Sequence, residues 1–140
     1  RVAMAAWARV EYDQLNARQK ENYNFQKLAA VLADYGFNCL RLTDDWQGAD
    51  FIACHIDGET FLKVQLKGCR LLFDRKYCGK NLHIAFRDGE QFYLYPHDEL
   101  LRQMMELGII AGTKSWVSKG IYHFPTLTDE ELRLLHPYSL

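Results

Sequence analysis

Residues 48–67 read Gly48-Ala49-Asp50-Phe51-Ile52-Ala53-Cys54-His55-Ile56-Asp57-Gly58-Glu59-Thr60-Phe61-Leu62-Lys63-Val64-Gln65-Leu66-Lys67. Two apolar-rich runs, Asp50–Ile56 and Glu59–Lys67, flank Asp57-Gly58. An Asp-Gly pair in that setting predicts a hairpin, because a type I′ turn needs positive φ at both central positions. A two-residue turn pairs positions that sum to 115, so Cys54 faces Phe61 and Asp50 faces Gln65. Directly opposed residues share a face, and alternate residues along a strand do so too. Asp50, Gln65, Lys63 and Lys67 therefore fall on one side of the ribbon. Phe51, Ala53, Leu62, Val64 and Leu66 fall on the other, with His55 and Thr60 the polar exceptions. A four-residue loop would set Asp50 opposite Lys67 and keep both on that side; a three-residue loop would break the alternation.

Working outward, Phe25, Leu28, Leu32 and Tyr35 recur at spacings of three and four, which predicts a helix over Leu15–Tyr35 closed by Gly36. The first dozen residues are ambiguous, with a short helix the nearest reading. Phe37–Leu42 reads as a strand running into a polar turn at Thr43-Asp44-Asp45. Beyond the hairpin and a basic loop, Asn81–Phe86 and Gln91–Tyr95 predict a second hairpin around Arg87-Asp88-Gly89-Glu90. Pro96 ends that strand, and His97–Leu107 predicts a helix closed by Gly108, with Met104 and Met105 as core filling. A short strand near Ile121–Phe124 precedes a helix opened by the capping box Thr128/Glu131. The order α-β-β-β-β-β-α implies an α/β fold, a mixed central sheet flanked by helices. With no repeat and no low-complexity linker, residues 1–140 read as a single domain, with a core at about 15–110 and a C-terminal strand and helix at 119–138.

The ribbon's polar side carries the chemistry. Glu21 lies four residues before Phe25, on the stripe that must face the sheet, where a carboxylate is costly unless it is paired, metal-bound or at a wet rim. Asp50 and Glu21 are hard oxygen donors and Gln65 can add a carbonyl oxygen. Such a set suits Mg²⁺ or Mn²⁺ better than zinc. Lys67 beside a metal-bound water can orient it, help deprotonate it or neutralise charge on a phosphate.

Glu21, then Asp50 in Gly48-Ala49-Asp50-Phe51-Ile52-Ala53, then Gln65-Leu66-Lys67 after a hairpin resembles the PD-(D/E)xK, restriction-endonuclease-like nuclease superfamily. The nearest likeness is to Holliday-junction resolvases and related homing endonucleases, over about residues 17–95. The resemblance implies a metal-dependent endonuclease that hydrolyses DNA phosphodiester bonds. It implies Asp50 as the central metal ligand, Gln65 as the second, Lys67 as the catalytic lysine and Glu21 as the helix acid, with the Leu66 carbonyl also able to coordinate. Ala49 replaces the proline of the motif's name, a minor change. Gln65 stands where Asp or Glu is usual, which removes one negative charge from the metal shell. By analogy with nucleases that pair two sites to cut two strands, it also implies a homodimer on branched or duplex DNA.

Composition sharpens this little. The net charge is −1, yet Lys63, Lys67, Arg70, Arg75, Lys76, Lys80 and Arg87 set seven cations against Asp74 alone, so this stretch carries +6 and the remainder −7. That segment reads either as a solvated face or as a phosphate-facing surface, with Lys63, Arg70, Arg75, Lys76 and Lys80 as anchors and Phe73 and Tyr77 for packing or stacking. Cys39, Cys54, Cys69 and Cys78 form no CxxC or Cys/His ligand spacing, which argues against zinc and for reduced thiols. No apolar run approaches the roughly 18 residues that span a bilayer, and no signal peptide is visible, so a cytoplasmic protein is expected. Two other readings stay open: a non-catalytic nucleic-acid-binding or assembly subunit that keeps the fold, and a protein-interaction domain whose basic stretch meets an acidic partner.

Overall fold

The computed structural model describes residues 3–68 and 70–140, so Cys69 lies outside the described residues. Helix α1 spans Ala17–Asp34. It opens on a reciprocal cap: Gln19 N–H donates to the Asn16 side chain, and Asn16 N–H to the Gln19 side chain. Each exchange satisfies a backbone donor that the first helical turn leaves free. The helix buries Leu28 and Leu32 completely and Phe25 partly, whereas Tyr35 is the helix's C-terminal cap and half exposed. The residues upstream hold one 3₁₀ turn, Tyr12–Gln14.

Strands β1 (Phe37–Trp46), β2 (Ala49–His55) and β3 (Phe61–Leu66) follow as an antiparallel meander. β1 runs four residues past its expected end. Trp46 pairs with Ala49 across Gln47-Gly48, both at positive φ, so the polar Thr43-Asp44-Asp45 is strand and not turn. The β2–β3 register is the expected one, with Cys54 opposite Phe61 and Phe51 opposite Val64. Its loop differs. His55 N–H bonds the Thr60 carbonyl, the connection is Ile56–Glu59, and Gly58 has positive φ while Asp57 does not. The Asp57 carboxylate accepts from both Glu59 and Thr60 N–H and from the Thr60 hydroxyl, which closes a wider turn without shifting the pairing.

The basic stretch is folded rather than looped. It forms strand β4 (Leu72–Asp74) and a 3₁₀ turn at Arg75–Tyr77, with Leu71, Leu72, Phe73 and Tyr77 buried. Strand β5 (Leu82–Asp88) then pairs parallel to β3, and β6 (Gln91–Pro96) pairs antiparallel to β5. Here Asp88 faces Gln91, so the turn is the two residues Gly89-Glu90 and not four. Helix α2 (His97–Glu106), helix α3 (Lys114–Lys119), strand β7 (Ile121–His123) and helix α4 (Asp129–Leu135) complete the chain, α3 being an element the periodicity did not show. The Thr128/Glu131 box caps α4 as expected.

The result is a five-stranded mixed sheet in the order β1-β2-β3-β5-β6 with helices on both sides, and a two-stranded β4-β7 sheet. α1 covers one face through Phe51, Ala53, Val64, Ala85 and Phe92. The other core joins β4, α2 and α4 to Ile84, Phe86 and Tyr95. Each such large side chain withdrawn from water stabilises the fold by about 1.5–3 kcal/mol.

Candidate active site

The β2–β3 register carries Asp50 to the level of Gln65, and a hydrogen bond fixes it there. Leu66 N–H donates to the Asp50 carboxylate at 2.8 Å. Lys67 extends β3 by one bond, its N–H donating to the Ala85 carbonyl at 2.8 Å. A cleft of about 630 Å³ opens where β1, β2 and β3 meet the first turns of α1. Its lining brings together Glu21, Asp50, Gln65, Leu66 and Lys67. Glu21 is exposed, so it occupies the wet rim of the helix stripe and not its buried part.

Burial raises the Asp50 carboxyl above the usual carboxylate range. The Leu66 hydrogen bond and the Lys67 charge oppose that rise; the Asp45 and Glu21 charges add to it. The half-buried Asp50 carboxyl thus feels two carboxylates, Asp45 and Glu21, against one ammonium, Lys67. Its oxygens are the donor type of a hard divalent cation, and Asp50, Glu21, the Gln65 carboxamide and the Leu66 carbonyl could hold one. Among the described residues Gln65 and Glu21 make no side-chain hydrogen bond, so their oxygens are available to such an ion.

Sequence reasoning missed part of this lining. Asp44 and Asp45 join from the end of β1, and Arg18, Lys20 and Arg41 also line the cleft. No residue type in the sequence signals these two acids, because the β1–β2 turn sets Gln47 at positive φ. Arg41 bonds Asn22 at 2.5 Å and lies over the Phe25 ring; Lys20 lies over Tyr12.

The expected phosphate anchors are dispersed. Arg75 donates to the Trp116 carbonyl at 2.7 Å and lies over the Trp116 ring. Lys76 pairs with Asp74 at 3.7 Å, and the Lys63 ammonium bonds the Lys80 carbonyl. Lys80 itself is half-buried, and Arg70 lines a small hollow with Lys67, Gly68, Leu72 and His123. Lys67 is the one expected basic residue that lines the main cleft.

Cys78, His97 and Asp98 also bring ligand atoms within 4.8 Å of one another, the one such trio among the described residues. His97 is fully buried, with Nε2 accepting from Asp74 N–H at 3.1 Å and Nδ1 against Asp98 at 2.9 Å. The ring proton therefore sits on Nδ1, and a metal there would require a ring stripped of both protons. The trio is a structural lock between α2 and the 3₁₀ turn.

No protein-family model matches the sequence, and neither does any curated protein. Solved structures that resemble the chain include two nucleases. Hjc, a Holliday junction resolvase of the archaeal hyperthermophile Archaeoglobus fulgidus, aligns at 16% identity and TM-score 0.43, over 54% of this chain and 76% of its own. The bacterial homing endonuclease I-Ssp6803I aligns at 17% identity and TM-score 0.49, over 81% of this chain and 78% of its own. Among the described residues no helix is long and apolar enough to cross a membrane.

Proposed function

We propose that the chain is a metal-dependent endonuclease that hydrolyses DNA phosphodiester bonds. The observation that supports this is the Leu66–Asp50 hydrogen bond, in a cleft whose lining also includes Gln65, Lys67 and Glu21. Mg²⁺ or Mn²⁺ bound among Asp50, Glu21, Gln65 and the Leu66 carbonyl would supply an activated water and neutralise phosphate charge. Asp50 is held for that task by the strand backbone, so its carboxylate need not be ordered when substrate arrives. Lys67 places an ammonium in the same cleft, where it steadies the attacking water or a non-bridging phosphate oxygen. Arg18, Lys20 and Arg41 bind the backbone of the strand entering the cleft. The proposal extends to a homodimer, which sets two such clefts against two strands.

The lost charge at Gln65 favours a second reading, a subunit that binds nucleic acid without cutting it. Linear duplexes and four-way junctions incubated with Mg²⁺ or Mn²⁺ separate the two. Under the first reading the protein cuts, and Asp50→Ala and Lys67→Ala each abolish cutting while binding persists. Unchanged cleavage in either variant removes that residue from the mechanism. Binding by the wild-type chain with no cleavage under either metal selects the second reading.

A further inference from the structure

Lys67 has a long side chain and few restraints. Among the described residues its ammonium forms no ion pair and no hydrogen bond. A free lysine side chain surrenders up to about 2 kcal/mol of rotamer entropy when it is held in one geometry. Something must hold it if it is to act at one atom. The contact that the structure provides is aromatic: Lys67 Nζ lies over the Tyr77 ring, 5.3 Å from its centroid. A cation at that distance is attracted by the negative face of the ring.

Tyr77 is only 3% exposed and is itself fixed from several sides. The His97 ring meets it edge-on at 5.6 Å and 87°. Gly48 abuts it from the β1–β2 turn, close enough that a Cβ there would come within 3.3 Å of the Tyr77 ring. The 3₁₀ turn that carries it is tied down along its length. Arg75 N–H bonds the Gly120 carbonyl at 2.7 Å, Asp74 caps Lys76 N–H at 3.0 Å, and Gly79 N–H bonds Asp98 at 2.8 Å. A second ammonium, that of Lys76, also lies 5.3 Å from the Tyr77 ring, but it is paired with Asp74.

We propose that Tyr77 is the positioning residue for Lys67: its rigid ring holds the ammonium at the floor of the cleft beside Asp50. The basic stretch then has a use apart from touching DNA, since its fold builds that platform. This deepens the nuclease reading and rests on it for the kinetic part alone.

The test has one arm that needs no activity. In the intact wild-type chain, the ring current of Tyr77 moves the Lys67 ε-methylene protons upfield in the NMR spectrum, with Lys67→Ala giving the assignment. The shift persists in Tyr77→Phe and vanishes in Tyr77→Leu. Unshifted Lys67 ε-protons in the wild type overturn the proposal outright, whether or not the Leu variant folds. In the kinetic arm, Tyr77→Leu lowers kcat roughly tenfold to a hundredfold at unchanged KM, as expected for a misplaced catalytic group, and Tyr77→Phe stays near wild type. An unchanged kcat in Tyr77→Leu sinks the idea. A wild-type chain that never cuts defeats the nuclease reading and leaves the spectroscopic arm to decide where Lys67 is held.

Discussion

Gln65 is the position where the cleft is short of charge. It offers one neutral carbonyl oxygen between Asp50 and Lys67, while Asp45 and Glu21 act on Asp50 from the sides. Gln65→Glu should therefore have two effects of opposite sign. Without metal, a further carboxylate beside a half-buried Asp50 adds repulsion, and the melting temperature in EDTA falls. With metal, the added charge tightens binding, by roughly tenfold in Mn²⁺ affinity measured by titration calorimetry. A variant with higher metal-free stability and unchanged affinity would show that residue 65 does not face the ion. Asp50, Gln65 and Lys67 could be grouped from the sequence because the two-residue period of a strand carries them together. Asp45 could not, since Gln47-Gly48 takes positive φ at a glutamine, a turn that residue type does not announce.

At the scale of elements, two contacts decide whether the floor of the cleft keeps its shape. Gly48 ends the β1–β2 turn at φ +86°, and a Cβ there would lie 2.8 Å from Leu82 Cδ1. Gly48→Ala combines left-handed strain with overpacking, and should cost about 2–4 kcal/mol. Chemical denaturation should show that loss as a lower midpoint at an unchanged slope. The other contact is His97, which ties α2 to β4. Burial holds its pKa below the ordinary 6.5 against the pull of Asp98 and Asp74, and burial does the same to His83 against Glu99. Below pH 6.5 the unfolded chain takes up protons that these native rings refuse. Stability therefore falls on acidification from pH 6.5 down to the depressed native values, by at most about 1.4 kcal/mol per pH unit for each ring. Melting curves between pH 7.5 and 5 should show that decline, and His97→Gln should melt lower at pH 7.5 but lose less on acidification. Neither contact was legible beforehand: His97 read as a residue at a helix start, and its burial depends on β4 folding from a stretch that looked like a charged loop. The β2–β3 register was legible despite the wrong turn, because Asp57 widens the loop symmetrically and leaves every pair in place.

Across the whole molecule, the linear clustering of charge and its placement in space disagree. Seven cations between Lys63 and Arg87 read either as a solvated face or as one phosphate-facing surface. Folding sends Arg75 to Trp116 and Lys76 to Asp74, so part of that charge is engaged within the protein. The cations that line the cleft come from three separate elements: Arg18 and Lys20 from α1, Arg41 from β1, and Lys67 from the end of β3. A strand of DNA crossing the cleft would meet those four. Each neutralised phosphate releases condensed counterions, so the slope of log affinity against log salt should be about −3 to −4. Arg18→Gln/Lys20→Gln should make that slope shallower by roughly two and weaken binding to all sequences alike. Arg75→Gln/Lys76→Gln should leave the slope within about half a unit of wild type, because those side chains already have partners in the fold. Fluorescence anisotropy over a salt series, on catalytically silent Asp50→Ala protein, measures all three slopes. The reverse ranking would move the nucleic-acid path off the cleft and back onto the 70–80 segment.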